Sequence, residues 1–515
     1  MILSRFLIFF PLRLFKVGLF AQILIFVAYA KLLHVPEPLL EQALADALRV
    51  DRTQLTKELV AEKLEFFELN NAGIRDLSGL EVAKNLKVLV LKDNLIEDIT
   101  PLTELAHLRK LDLSGNRISS LLPLSGFSLE KMQKEIVEIQ QKLSARLGFS
   151  EQSPEMILEL SDLTERIKRG PWQLKELSLS NNRLLGLSGI SNLSFLHHLD
   201  VSGNALIDLE GISAISNLVT LYAQGNQLGR TESYVDGNKN KVFDPGESFN
   251  DESGNGKRDT DPLVELSSLS KLSNLYLYEN LLHSVKSLQN LPSLKVLLLS
   301  GNQIKDIRTL GDFPSLERLA LSDNRITSLE GLSNLAKIKY LYLVENRICD
   351  LRPIQSLKTL KELRLQRNQL VNIGPLSSLS SLQVLSLSNN FIYSLKPLLE
   401  MNSLKRLSLS GNFVNLDDFG IKDAMRDLRI KGVSVTVGSQ KKRVISVENL
   451  ILSLIGHPNS NHALGEYLEA NGYFRLVDFV EDTSIAEDEK IIAYQTWYKT
   501  LRNGKSVYDL KFPGK

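Results

Sequence analysis

Residues 86–102 read Leu-Lys-Val-Leu-Val-Leu-Lys-Asp-Asn-Leu-Ile-Glu-Asp-Ile-Thr-Pro-Leu. Leu86, Leu89 and Leu91 give the frame L-x-x-L-x-L, whose last two leucines alternate with Val88, Val90 and Lys92. Period-2 alternation is the mark of a short strand with one buried face. Asn94 follows three residues later, and Ile96 and Ile99 then supply apolar groups for a returning segment. The same frame recurs at Leu108, Leu174, Leu196 and Leu218, and then from Leu272 through Leu294, Leu316, Ile338, Leu360, Leu382 and Leu404 in steps of 22 residues. A degenerate first copy starts at Leu64, with Ala72 where the others carry Asn.

There are thus 13 copies, and 12 of them carry the Asn: 94, 116, 182, 204, 226, 280, 302, 324, 346, 368, 390 and 412. One copy cannot bury its leucines alone, so successive copies must stack and share a core. An apolar core has no use for an amide at a fixed place. An inward amide can, however, bond backbone groups that have left the strand ladder, and an asparagine ladder is therefore expected.

The segment Asn94-Leu-Ile-Glu-Asp-Ile-Thr-Pro-Leu102 resembles the 22-residue leucine-rich repeat of bacterial internalin-like proteins, and Pro38–Glu68 is similar to the helical N-terminal cap of that family. The resemblance covers residues 36–437 apart from two insertions. It implies an α/β repeat fold: a curved right-handed solenoid with a parallel concave sheet, a helical N-cap, a helical hairpin insertion and a small α+β C-terminal appendage. The same 22-residue unit occurs in intracellular phosphatase-regulator proteins, so the motif is more specific for fold than for function.

Residues 1–30 read as a secretory signal peptide. Arg5, Arg13 and Lys16 precede an uncharged run from Val17 to Ala30, which closes on Ala28-Tyr29-Ala30. The run is short for a spanning helix, which needs about 20 apolar residues. A retained anchor is the alternative; the cleaved form leaves no stable membrane span and places the protein in the periplasm, at the cell surface or in the medium. Residues 31–63 form the expected N-terminal cap, with Leu40, Leu44 and Leu48 on one helix face. Residues 64–439 form the repeat stack and 413–439 its C-terminal flank. The flank reads as a helix over Asp417–Leu428 and a closing strand over Gly432–Val437.

Two insertions lengthen the stack. The step from Leu108 to Leu174 carries 44 extra residues. Within 125–173, the apolar stripes Leu129-Met132-Ile136-Ile139-Leu143-Leu147 and Met156-Leu160-Leu163-Ile167, split by Gly148 and Ser153-Pro154, predict a helical hairpin. It reads either as an ornament or as a docking arm. The second insertion, 230–263, carries Asp236, Asn238, Asn240, Val242 (through its carbonyl), Asp244 and Glu247 at positions 1, 3, 5, 7, 9 and 12 of a dodecamer. Those are the ligand positions of an EF-hand-type Ca²⁺ loop. Asp251, Ser253, Asn255 and Asp259 form a second, partial match. Lys241 stands where the sixth-position Gly belongs, and Pro262 where a bidentate Glu belongs. A structural Ca²⁺ ion is the expected cofactor; a solvated acidic loop is the plain alternative.

The chain holds 61 basic and 60 acidic residues, so no global field recruits nucleic acid. Its single cysteine, Cys349, excludes a disulfide framework. His198, Asp200 and Ser178 share a strand face in composition only, without the elbow or oxyanion nest that catalysis needs. A non-enzymatic protein that binds a protein partner through its concave face is the expected function. On that face the repeat places Tyr222, Tyr276, Tyr278, Val296, Leu298, Arg318, Tyr340, Tyr342 and Arg364, and Tyr and Arg are the usual anchors of a binding surface. A carbohydrate or cell-wall binder would use the same tyrosines. An enzyme confined to residues 440–515, which read as a small α+β appendage beyond the basic linker Gln440–Arg443, is the remaining alternative.

Overall fold

The computed structural model describes residues 32–125, 137, 173–230, 235, 247–248, 261–440, 490 and 493–497. The signal peptide, the helical hairpin apart from residue 137, the interior of the calcium loop apart from Glu247, and most of the 440–515 appendage lie outside the described residues.

The chain divides into two compact units, one comprising residues 1–222 and 232–265 and the other 223–231 and 266–515. The first unit opens with helices α1 (Pro38–Leu48) and α2 (Lys57–Lys63). Pro38 occupies the first turn of α1, where its missing N–H costs nothing, and Leu40, Leu44 and Ala45 face inward. Thr56 caps α2 by accepting the Leu59 N–H at 3.2 Å. Six three-residue strands follow: β1 (Phe66–Glu68), β2 (Val88–Val90), β3 (Lys110–Asp112), β4 (Glu176–Ser178), β5 (His198–Asp200) and β6 (Thr220–Tyr222). A short helix α3 (Leu122–Ser125) stands at the mouth of the first insertion. All five neighbouring pairs are parallel and follow chain order. Lys110 pairs with Glu176, so the 44-residue insertion leaves the ladder unbroken.

The second unit carries β7 (Asn274–Tyr276), β8 (Val296–Leu298), β9 (Arg318–Ala320), β10 (Tyr340–Tyr342), β11 (Glu362–Arg364), β12 (Val384–Ser386), β13 (Arg406–Ser408) and β14 (Ser434–Thr436). These also pair in parallel, in chain order. Helix α4 (Phe419–Ile430) starts two residues later than the sequence predicts. Asp418 is its N-cap rather than a helical residue, accepting the Ile421 N–H at 3.0 Å. Ala424 and Leu428 are buried as expected, and β14 is the predicted closing strand. Near the C-terminus, 493–497 is helical; Tyr494 and Trp497 are fully buried and meet edge-on at 5.7 Å between ring centroids.

The three frame positions of every copy are buried, except that Leu69 of the first copy is half-buried, and so are apolar pairs of the returning segments such as Ile304 with Ile307 and Ile326 with Leu329. Most returning segments are single 3₁₀ turns, for example Thr100–Glu104 and Gly374–Ser378. Eleven of the 12 repeat asparagines are buried and Asn204 is half-buried.

The Asn226 amide donates to the Ala223 and Gln224 carbonyls of its own turn. Each of the other asparagines bridges its own turn and the one before. Asn324 Oδ1 accepts the Ile304 N–H at 3.0 Å, while its Nδ2 donates to the carbonyls of Leu299, Leu321 and Ser322 at 3.0, 3.1 and 3.1 Å. Asn182 reaches across the first insertion to the Ile118 N–H and the Leu113 carbonyl, both at 2.9 Å. Asn280 likewise joins the Leu228 N–H and the Ala223 carbonyl within the second unit.

The turn that aims the amide inward needs a left-handed residue just before it. Gly115, Gly203, Gly225, Gly301 and Gly411 take this role in five copies and Asp93, Asn181, Asp323 and Asn389 in four more, while Asn71 holds the same conformation before Ala72 in the first copy. Glu279, Glu345 and Arg367 hold the same conformation at φ 55°, 56° and 57°.

Candidate functional site

Side chains two, four and six places into each copy stand on the sheet face away from the core, because alternate strand residues point to opposite sides. In the second unit the register sets Asn274, Val296, Arg318, Tyr340 and Glu362 side by side in one row. Tyr276, Leu298, Ala320, Tyr342 and Arg364 form the next. Tyr276, Tyr278, Val296, Leu298, Tyr340 and Tyr342 are half-buried by their lateral neighbours, while Arg318 and Arg364 are exposed. Tyr222 holds the equivalent place on β6 of the first unit and is also half-buried.

The arginines and tyrosines are stacked. The Arg318 guanidinium carbon lies 4.7 Å from the Tyr340 ring centroid, and that of Arg364 lies 5.1 Å from the Tyr342 centroid. A cation over an aromatic face is attracted by the ring quadrupole and holds the long side chain in place. Arg364 also donates from Nε to Glu362 Oε1 at 2.7 Å. Burial, and after it the Glu362 carboxylate, pushes the Tyr342 phenol above the ordinary tyrosine range. The partners in both stacks are one repeat apart, so the 22-residue register already predicts the contacts. The intrastrand Glu362–Arg364 pair has only an i, i+2 spacing as its signal.

The face of the first unit differs. Lys92 pairs with Asp112 at 3.0 Å and Lys110 with Glu176 at 2.9 Å. Asp200 accepts from the Ser202 hydroxyl at 2.6 Å and from its N–H at 3.0 Å. His198 is exposed and makes no hydrogen bond to Asp200 or Ser178, so the Ser178/His198/Asp200 trio is not assembled as a charge relay. Cys349 is buried.

Of the predicted metal ligands, Asp236, Asn238, Asn240, Val242, Asp244, Asp251, Ser253, Asn255 and Asp259 lie outside the described residues. The residues bracketing the dodecamer are described: the Val235 N–H donates to the Ser248 carbonyl at 2.9 Å and draws the two ends of the 236–247 loop together. Among the described residues no helix is long and apolar enough to cross a membrane.

Leucine-rich-repeat family profiles match residues 84–126 (as two copies), 173–193, 192–216 and 276–397. With the parallel three-residue strands and the asparagine ladder, these matches identify the repeated units as leucine-rich repeats. Its structure is similar to that of the internalin InlF of Listeria monocytogenes, at 21% identity and a TM-score of 0.57, over 79% of this chain and 96% of that one. A leucine-rich-repeat protein of Leptospira interrogans matches at 20% identity and a TM-score of 0.47, over 80% of this chain and 96% of the other. No curated protein matches the sequence. The leucine-rich-repeat fold supports a scaffold for protein–protein interaction, and the parallel repeat fold expected from the sequence is present.

Proposed function

We propose that this leucine-rich-repeat protein acts outside the cytoplasm and binds a protein partner through the sheet face of its second unit. The observation that carries the reading is the group of four tyrosines and two stacked arginines on strands β7–β11. Tyr and Arg combine large contact area with directional polar groups, and stacking reduces the entropy lost on binding. The first unit offers instead a face of mutually neutralised charges. Proximity labelling on intact cells tests the proposal by comparing the native chain with a Tyr276/Tyr278/Tyr340/Tyr342→Ala variant. Loss of the same labelled proteins in the variant supports the proposal; an unchanged set refutes it.

Two further readings belong to this proposal. Export is supported by the Ala28-Tyr29-Ala30 site, and N-terminal sequencing of exported protein beginning at Lys31 tests it. Structural Ca²⁺ binding by the 230–263 insertion is supported by the alternate-oxygen pattern and by the closed ends of its dodecamer. Calorimetry of the full chain should show Ca²⁺ heat that Asp244→Ala abolishes; no heat at millimolar Ca²⁺ refutes it.

A further inference from the structure

Arg318 differs from the charged groups nearest to it. Glu317 beside it is paired with Lys339 at 2.8 Å, and Arg364 is paired with Glu362 at 2.7 Å. Arg318 is exposed, stacked on Tyr340, and makes no ion pair among the described residues. Its lateral neighbour on β8 is Val296, and Leu298 and Tyr342 flank it in the adjoining row. The result is one uncompensated guanidinium, held in orientation by a ring and framed by apolar groups. Such a group is a ready partner for a carboxylate, because guanidinium and carboxylate match as a planar fork and the apolar surround limits competition from water.

Resting on the sheet-face reading above, we propose that the partner is a protein that lays an acidic side chain on Arg318 and an adjoining apolar side chain against Leu298 and Tyr342. Arg318 is the specificity anchor, and the tyrosines supply contact area. The rim beyond the strand ends, where Glu279 and Asp323 stand exposed, favours the opposite charge and makes the proposal refutable by its sign.

The test is selection of random twelve-residue peptides, displayed on phage, against the full chain. Selected peptides should carry Asp or Glu beside an aromatic or aliphatic residue and bind more weakly as salt rises. Arg318→Gln should weaken them roughly tenfold to a hundredfold, as expected when a charge-assisted hydrogen bond is lost. Arg318→Lys should weaken them less. Arg406→Gln, which removes an exposed arginine at the same register place on β13, should leave them unchanged. Selection of Lys- or Arg-rich peptides overturns the proposal, as does recovery of none or undiminished binding to Arg318→Gln. The Tyr276/Tyr278/Tyr340/Tyr342→Ala variant separates the two layers. Acidic peptides that need Arg318 but not the tyrosines would sink the tyrosines' part in the sheet-face reading, basic peptides that need the tyrosines would sink only the acidic partner, and peptides that need neither would sink the sheet-face reading itself.

Discussion

Replacing Asn324 with Ala tests the asparagine ladder most directly. Asn324 is 8% exposed and joins four backbone groups, the Ile304 N–H and the carbonyls of Leu299, Leu321 and Ser322. Alanine fills none of these roles. The Ile304 N–H and the Leu299 and Leu321 carbonyls lie at buried contacts, and a buried polar group left unpaired costs about 1–3 kcal/mol. Partial relaxation and water entry reduce the sum, so the expected loss is about 3–5 kcal/mol. In a stack whose stability is a sum of neighbour terms, that loss should be local. Hydrogen exchange followed by mass spectrometry should show faster exchange around Ile304 and Leu321, with little change at β1 and β2. Urea unfolding should show an early step absent from the native protein. Asn204→Ala is the internal comparison: Asn204 is half-buried, water can replace part of its amide, and a smaller loss of about 1–2 kcal/mol is expected. A cost below about 1 kcal/mol at Asn324, or equal costs at the two sites, would refute the claim that satisfying buried backbone is what requires Asn.

Three other outcomes follow from the geometry. Gly331→Ala would place a Cβ 2.3 Å from the Ile307 carbonyl at φ +97°, so calorimetry should show a loss of about 2–4 kcal/mol, against about 1 kcal/mol for Gly432→Ala, where φ is +80° but no atom lies within 4 Å. Asp418→Ala removes the cap of α4 and should cost about 1 kcal/mol, read as lost protection at Ile421. Tyr342 has its pKa raised in the folded chain, so its stabilising contribution is complete below about pH 10, the unfolded tyrosine value, and disappears as pH rises through the folded value. In a 295 nm titration Tyr342→Phe should delete a high-pH component, and Glu362→Gln should move that component down; an unaltered curve in either variant contradicts the assignment.

Read alone, the chain determines the stack. Leucines at fixed 22-residue intervals have nowhere to go but against the same leucines one copy away, and this sets the parallel pairing, the register and the inward amide. The register also names lateral neighbours, so Arg318 beside Tyr340 and Tyr342 beside Arg364 were open to prediction from spacing. Tertiary structure decides what period alone leaves free. It shows that Glu279, Glu345 and Arg367 adopt the left-handed turn that glycine takes elsewhere, because the ladder on either side fixes the backbone before the side chain can object. It also decides which charges cancel. Glu362 turns to Arg364, Glu317 turns to Lys339, and Arg318 is left facing solvent over a tyrosine ring. Repeat spacing places a side chain on a face, but its charge partner depends on rotamers and on a few ångströms of reach, which only the packed structure supplies.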